Sequence, residues 1–327
     1  MRIESDPVPE VRQDRSLAGK PVLPRAWSVA APGGRSVGGV RLGDDDGRRA
    51  LFVHGVPGSS ENVRFLDLSG RAALTAGVSL VAIDRPGIGF TAPGAVRDAD
   101  PAAAAAAAAD DMAHVLDELG WPVATVIVHS AGAYAGVAMA IRHPQRVARL
   151  VLVAAAAPDM GADASAAMDV GARSFFDLCR DRPRSARWVM RAMRLGLSVA
   201  PGPATRAAAR SLPPSDRALL TDPRASAAFV AMVRHAGRLG ARGVVADGRA
   251  ARGPWPLEAL VTCPVDVYAG DEDRNVPSAV AEEWATRFPH ARLEWRSSAG
   301  HVSILPLVAE QVLASVAAHG ARSSARP

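Results

Sequence analysis

Short apolar runs alternate with helix-length segments along most of the chain. The runs that predict strands lie at residues 27–30, 36–42, 50–53, 78–83, 125–128, 150–153, 265–269 and 292–295. Helical patterns are predicted at residues 101–119, 131–140, 278–288 and 306–319. Every residue at 125–128 is β-branched, which is typical of a strand buried on both faces of a parallel sheet. The alternation therefore predicts an α/β fold with a mostly parallel sheet and helices on both faces.

A long middle segment interrupts this alternation. Residues 158–256 contain helical stretches rich in Arg, Ala and Met, separated by several prolines, and no strand-like run. We interpret this segment as a helical insertion into one α/β domain, whose core comprises residues 26–157 and 257–320. Residues 1–25 are charged and punctuated by proline, and they predict a flexible tail without a secretion signal.

Composition narrows the classes of function. With 327 residues and 49% hydrophobic side chains, the chain can bury a full core. Cys179 and Cys263 are its only cysteines, and they lack the spacing of a disulfide framework or a zinc site. The longest apolar runs are shorter than the roughly 18 residues that a membrane span needs. We therefore expect a soluble cytoplasmic monomer or homodimer without a metal or another cofactor.

The basic charge changes this picture little. The formal net charge is +5 and the pI is near 10.1. Aromatic residues make up only 5% of the chain and no compact basic tract contains them, so we expect no nucleic-acid partner. Between Arg173 and Arg194, helical spacing predicts outward arginines over an apolar stripe. The alternative is that some of these arginines bind the phosphate of an acidic acyl carrier.

Candidate chemistry follows the predicted strands. The sequence VIVHSAG places Ser130 between a strand and a helix; Gly132 is the second glycine of a G-x-S-x-G turn, and Val128 replaces the first. An acid-bearing turn, GDEDRNVP, follows a later strand, and SSAGH, which ends at His301, follows the last one. Because the carboxyl ends of parallel strands share one edge of a sheet, these side chains are predicted to meet there.

In this order the motifs resemble those of the α/β-hydrolase superfamily. The matching segments are HGVPG at 54–58, DRPGIGFT at 84–91, RHPQRV at 142–147, GDEDRNVP at 270–277 and the GH pair at 300–301. The resemblance extends over nearly all of the chain from residue 27 to residue 319. It implies the α/β-hydrolase fold, with a mostly parallel eight-stranded sheet, helices on both faces and an inserted helical lid.

The resemblance also implies roles for individual residues. Ser130 would be the nucleophile, Asp273 the acid and His301 the base of a catalytic triad. The backbone N–H groups of Val56 and Ala131 would form the oxyanion hole. A second acid in the same turn, Asp271, could cap a helix or face water, and we favour Asp273 because it matches the family position.

Four further side chains are predicted to surround the substrate. His54 is expected to orient the oxyanion loop, and His129 lies next to the nucleophile in the sequence. Phe176 and Trp188 belong to the apolar stripe of the lid and are expected to line an acyl pocket.

Together these residues predict a cofactor-independent serine hydrolase that cleaves a carboxylic ester, lactone or thioester of a small molecule through an acyl-enzyme. A serine nucleophile argues against haloalkane dehalogenase and epoxide hydrolase chemistry, because both need a carboxylate. One alternative is a non-hydrolytic enzyme of the same fold, a lyase or cyclase in which Ser130 and His301 transfer protons. The other is a non-enzymatic binding module, which the intact triad disfavours.

Overall fold

One eight-stranded sheet organises the described part of the chain. The computed structural model describes residues 22–94, 100–157, 161–253, 255, 261–288 and 290–319. Its strands are β1 Arg25–Ala30, β2 Ser36–Gly43, β3 Arg48–Val53, β4 Val78–Ile83, β5 Ala124–His129, β6 Val147–Val153, β7 Val265–Gly270 and β8 Ala291–Arg296. Their order in space is β1-β2-β4-β3-β5-β6-β7-β8. β2 pairs antiparallel with β1 and β4 and the other pairs are parallel, so the predicted fold class is confirmed.

The helices lie on both faces of this sheet and in one long insertion. They are α1 Ala72–Thr75, α2 Pro101–Glu118, α3 Ala133–Arg142, α4 Gly161–Ala167, α5 Val170–Asp181, α6 Pro183–Val199, α7 Pro201–Ala209, α8 Pro214–Leu219, α9 Pro223–Ala236, α10 Ala241–Ala250, α11 Ser278–Arg287 and α12 Ile304–His319. Side chains of α2, α3 and α11 form one hydrophobic core with the sheet, and α1 and α12 form a second core on the opposite face.

The central strands supply both cores because alternate side chains point to opposite faces. Val126 and Val128 of β5 belong to the core with α2 and α3, whereas Ile127 between them belongs to the core with α12. In the parallel register Val53 of β3 pairs with Val128, and Val128 pairs with Leu152 of β6. The carboxyl ends of these strands are therefore level, and the loops that follow them meet at one edge.

Helices alone connect β6 to β7 within the described residues. Helices α4–α10 occupy this connection, and residues 161–253 contain no strand. We continue to predict that residues 158–256 form a lid on a core of 26–157 and 257–320. The predicted tail at 1–25 lies almost wholly outside the described residues.

Short elements that the sequence did not predict include the four-residue helix α1 and a 3₁₀ turn at Ser60–Phe65. Each is too short to produce a helical periodicity that a sequence pattern could reveal. The 3₁₀ turn packs against α9, so it contributes to the contact between the sheet domain and the inserted helices.

The packing of β5 against α3 explains how the chain accommodates Val128 two residues before Ser130. Val128 is fully buried, and Gly136 lies opposite it on α3. A Cβ atom on Gly136 would lie only 2.2 Å from Cγ1 of Val128, so the valine methyl group occupies the space that a side chain on α3 would need. The departure from glycine at position 128 is thus matched by a glycine on the facing helix.

We expect Gly136→Ala to destabilise the fold by roughly 1–3 kcal/mol, because the added methyl group overpacks the junction of β5 and α3. Helix propensity alone favours alanine by about 1 kcal/mol, so a loss of stability would report the contact with Val128. Urea denaturation measures the free energy of unfolding for each variant.

Gly196→Ala in α6 is the matched control, since its added Cβ would meet no atom closer than 3.8 Å. Combining Gly136→Ala with Val128→Ala should destabilise less than the sum of the two single changes, because the shorter side chain leaves room for the new methyl group. Additive losses would contradict this account of the junction.

Candidate active site

Ser130 lies in a strained turn directly after β5. Its φ angle is +55°, in the left-handed region that residues other than glycine rarely adopt. The turn fits tightly against β3, because a Cβ on Gly132 would lie 2.6 Å from the carbonyl oxygens of Val53 and His54. Glycine at position 132 therefore lets the turn approach the neighbouring strand while Ser130 projects from the edge of the sheet.

A continuous chain of hydrogen bonds joins Ser130 to Asp273. Oγ of Ser130 lies 2.8 Å from Nε2 of His301, and Nδ1 of the same ring lies 2.8 Å from Oδ2 of Asp273. The other carboxylate oxygen, Oδ1, accepts the backbone N–H groups of Asn275 and Val276 at 2.8 and 2.9 Å. These two bonds fix the carboxylate, so that it can orient the imidazole and stabilise its protonated form.

Burial and charge act in opposite directions on His301. Burial on its own lowers the pKa of this imidazole, because removal from water disfavours the charged ring. The charge and the hydrogen bond of Asp273, together with the charge of Asp216, outweigh that effect and hold the pKa above its usual value. The ring is therefore a stronger base than an ordinary histidine.

The second acid of the turn occupies a different position. Asp271 is exposed, and its Oδ1 accepts the backbone N–H of Ala299 at 3.3 Å. It forms no hydrogen bond with His301 among the described contacts, whereas the side chain of Asp273 is 3% exposed and bonds to the ring. The geometry thus favours Asp273 as the acid.

The loop that follows β3 lies directly beside the serine. A Cβ on Gly55 would be 3.0 Å from Cβ of Ser130, so a side chain at position 55 would press against the serine. The side-chain oxygen of Asn62 accepts the N–H of Gly55 at 3.2 Å and holds the loop from behind. Val56 and Ala131, predicted to supply the oxyanion hole, both line the cavity into which Ser130 opens.

A buried ion pair connects this loop to the inserted helices. Arg85 donates two hydrogen bonds to Asp247 of α10, at 2.7 and 2.6 Å, and both side chains are almost inaccessible to water. The same guanidinium also donates to the carbonyl oxygens of His54 and Gly55. Tyr134 donates to Asp247 at 2.6 Å. The guanidinium of Arg85 therefore joins α10 to the loop that follows β3.

The two histidines next to the site have separate structural roles. His129 donates from Nε2 to the carbonyl oxygen of His301 at 2.9 Å, and its Nδ1 lies 2.9 Å from Oδ1 of Asn62. Burial, with the nearby His301, lowers the pKa of His129 to about 3, so this ring is neutral near pH 7. His54 donates from Nδ1 to the carbonyl oxygen of Gly55 at 2.8 Å, and burial lowers its pKa well below the usual value.

A mostly apolar cavity of about 370 Å³ opens from Ser130 towards the inserted helices. Its walls combine aromatic, Met and aliphatic side chains, including Met168, Phe175, Phe176, Met190, Met193, Leu212, Phe229 and Met232. Polar groups are few, and they include His129, Asp216, Arg252 and Asn275. This volume and lining are suitable for a small or medium apolar compound.

The structure brings most of the predicted site residues together, with two exceptions. Phe176 and His129 line the cavity, but His54 lies behind the oxyanion loop and does not line it. Trp188 is 68% exposed and contacts Arg191 on the outer surface of α6, so its predicted place in the pocket is corrected. Met190 and Met193 of the same predicted stripe line the cavity, so Trp188 departs from it.

Three site residues could not be inferred from a motif. Asn62 follows the HGVPG loop, whereas Asp247 and Asp216 belong to the insertion, on α10 and α8. Each acts through contacts with residues far away in the sequence, so no local spacing identifies it.

Neither a metal site nor a membrane-spanning helix is found among the described residues. They contain no group of three or more His, Cys, Asp or Glu side chains placed to hold a metal ion. Among these residues, no helix has both the length and the apolar character that crossing a membrane requires.

Comparisons with known proteins agree on one family. A family model described as alpha/beta hydrolase fold matches residues 51–306 of the chain. A Caulobacter vibrioides protein named "Putative carbamate hydrolase RutD" is 42% identical over 81 residues, which are 25% of this chain and 29% of that protein. The chain thus matches less than a third of that relative's length.

Solved structures show the same fold at low sequence identity. An alpha/beta hydrolase fold protein from Nakamurella multipartita is 22% identical with a TM-score of 0.62, over 90% of this chain and 100% of that one. The esterase RhEst1 from Rhodococcus sp. ECU1013 is 21% identical with a TM-score of 0.64, over 91% and 99% of the two chains. A Vigna radiata epoxide hydrolase mutant is 17% identical with a TM-score of 0.65, over 90% and 98%.

We expect Asp273→Asn to slow the reaction of Ser130 with a fluorophosphonate by roughly 10³- to 10⁴-fold, because the amide no longer holds the required tautomer of His301. Mass spectrometry of the adduct measures the rate. Asp271→Asn, two residues away in the same turn, is the matched control and should change the rate less than two-fold or so. The reverse order of effects would assign the acid to Asp271.

Proposed function

Because the chain belongs to the alpha/beta hydrolase fold family, we propose that it is a cofactor-independent serine hydrolase acting on a carboxylic ester, lactone or thioester. The observation that carries the proposal is the hydrogen-bonded chain from Asp273 through His301 to Ser130, which opens into an apolar cavity. A nucleophile, a base and an orienting acid at hydrogen-bond distance are the groups that acyl transfer needs.

The proposed reaction proceeds through an acyl-enzyme. Oγ of Ser130 attacks the substrate carbonyl carbon while its proton passes to Nε2 of His301. The N–H groups of Val56 and Ala131 stabilise the oxyanion, and collapse expels the alcohol or thiol, which takes the proton from His301. Water then attacks the acyl group, with His301 again accepting the proton, and the carboxylic acid leaves as Ser130 is restored.

The cavity supports an apolar, uncharged acyl group as substrate. Phe175, Phe176 and Phe229 contribute apolar walls, and most of the other lining residues are apolar too. An anionic acyl group would lose its hydration among these side chains, which is unfavourable. The arginines Arg180, Arg184, Arg191 and Arg194 are exposed to solvent, so we propose that they do not bind the acyl group.

The similar proteins are compatible with this proposal but differ in their named activities. RhEst1 is named an esterase, the Vigna radiata protein an epoxide hydrolase, and the Caulobacter vibrioides relative a "Putative carbamate hydrolase". A serine at position 130 favours acyl transfer over epoxide opening, because the latter needs a carboxylate nucleophile. Esters and carbamates share a carbonyl carbon that the same serine could attack.

A fluorophosphonate probe tests the nucleophile. We expect the wild-type protein to gain one adduct, located by peptide mass spectrometry at Ser130, and p-nitrophenyl butyrate to be hydrolysed. Ser130→Ala and His301→Ala should each lower turnover by about 10⁴-fold or more, and the double variant little further, because the residues act as a unit.

An unreactive wild-type protein, with its fold verified by circular dichroism, would contradict the proposed function. A lyase or cyclase would instead convert its substrate without a trapped acyl-enzyme. Rapid quenching followed by mass spectrometry distinguishes these cases, since only acyl transfer leaves the acyl mass on Ser130.

We expect Phe176→Ala to lower kcat/KM for p-nitrophenyl hexanoate by roughly 5- to 50-fold, because the phenyl ring forms part of the apolar wall. Trp188→Ala removes a larger aromatic ring from the same lid but from its outer surface, so it should change kcat/KM by less than about two-fold. Equal losses in the two variants would show that the lid acts through stability instead of through contact with the acyl chain.

A further inference from the structure

One residue of the inserted helices lies on the loop that carries the catalytic histidine. Asp216, on α8, is only 1% exposed. Its Oδ2 accepts the backbone N–H of His301 at 3.0 Å, and its Oδ1 accepts those of Val302 and Ser303 at 3.0 and 2.7 Å. One carboxylate therefore binds three successive N–H groups, beginning with that of His301.

These three N–H groups precede α12, which begins at Ile304. The first N–H groups of a helix have no partner within the helix, and a side chain close in the sequence usually satisfies them. Here a carboxylate 85 residues away in the sequence binds the N–H of His301. The N–H groups of residues 301–303, here called the histidine loop, are thus bound by a side chain of the lid instead of by one from their own segment.

The fit at this contact is close. A Cβ on Gly300 would lie 2.6 Å from Cγ and Oδ1 of Asp216, so a side chain at position 300 would displace the carboxylate. The hydroxyl of Ser303 accepts the N–H of Gly300 at 2.8 Å and closes the turn. The glycine that precedes the catalytic histidine therefore provides the space for Asp216.

A second hydrogen bond joins α8 to the loop that carries the acid. Oε2 of Glu272 accepts the backbone N–H of Ser215 at 3.1 Å, and the N–H of Glu272 donates to the carbonyl oxygen of Ala299 at 2.9 Å. Glu272 directly precedes Asp273 in the sequence. α8 is consequently hydrogen-bonded both to the loop that carries Asp273 and to the loop that carries His301.

Two carboxylates act electrostatically on the ring of His301, and one neutral ring lies beside it. Asp273 approaches from the loop after β7, Asp216 from α8, and the neutral ring of His129 from β5, with its centroid 4.9 Å from that of His301. Both carboxylates raise the pKa of His301, which burial lowers. Loss of the Asp216 charge should therefore lower that pKa.

We propose that Asp216 is a positioning residue through which the lid sets the backbone of the histidine loop and so aligns His301 with Ser130. This inference rests on the proposed function, because it assigns Asp216 a role in that same site. It also makes α8 part of the catalytic apparatus and not only a wall of the cavity. Displacement of α8 would remove the acceptor of three buried N–H groups beside the base.

Asp216→Asn is the test variant, because the amide keeps the shape of the side chain but loses the charge and one acceptor oxygen. Asp222→Asn is the matched control. Asp222 caps α9 of the same lid by accepting the N–H groups of Arg224 and Ala225, and it has no described contact with the histidine loop.

The readout is the rate of fluorophosphonate labelling of Ser130 between pH 4 and pH 9. The base must be neutral, so labelling is lost as the pH falls through the pKa of His301. For Asp216→Asn we expect the plateau rate to fall by roughly 10- to 100-fold and the acid limb to move to lower pH. Asp222→Asn should leave both close to the wild-type values, although it removes a cap of the same kind.

Amide hydrogen exchange of residues 301–303 gives a second readout that needs no activity. Slow exchange in the wild type and faster exchange in Asp216→Asn alone would support the inference. Fast exchange in the folded wild type would overturn it, even if Asp216→Asn failed to fold. If Ser130 of the wild type is labelled and both variants show the wild-type plateau rate and pH profile, this inference alone is overturned. An unreactive wild type would overturn the proposed function.

Discussion

The backbone strain at Ser130 is the constraint on which the rest of the site depends. A left-handed φ at a residue other than glycine costs of the order of 1–3 kcal/mol and persists only where the surrounding structure fixes it. Here β5 is buried along its whole length, Gly132 allows close approach to β3, and Gly136 leaves room for Val128. The two cores of the sheet thus hold Ser130 at the carboxyl end of β5, where it borders the cavity.

The sequence revealed the features that depend on local pattern. Apolar runs predicted the eight strands, and the strand-to-helix junction placed Ser130 correctly at the edge of the sheet. What local pattern could not reveal was the direction of single lid side chains. Trp188 and Met190 are two residues apart and both apolar, but only the packing of α6 decides that Met190 faces the cavity. Asp216 shows the same limit, because its partners are backbone N–H groups that carry no sequence signature.

Polar contacts bind the lid to the loops at the carboxyl edge of the sheet. Asp247 pairs with Arg85, His235 lies 2.8 Å from Asp84, and Asp216 binds the histidine loop. Removing one partner of a buried ion pair costs roughly 3–5 kcal/mol, since the remaining charge is left without compensation. These contacts therefore favour one placement of the lid more strongly than apolar packing alone would.

The same contacts relate the shape of the cavity to the chemistry at Ser130 and His301. Arg85 touches the carbonyl oxygens of His54 and Gly55, which precede the N–H of Val56. Asp216 touches the N–H of His301. A shift of α10 would therefore move the proposed oxyanion hole, and a shift of α8 would move His301. Ser130 would be affected less, because the sheet fixes its position. Lid residues that never contact a substrate could in this way change the rate of the reaction more than its selectivity.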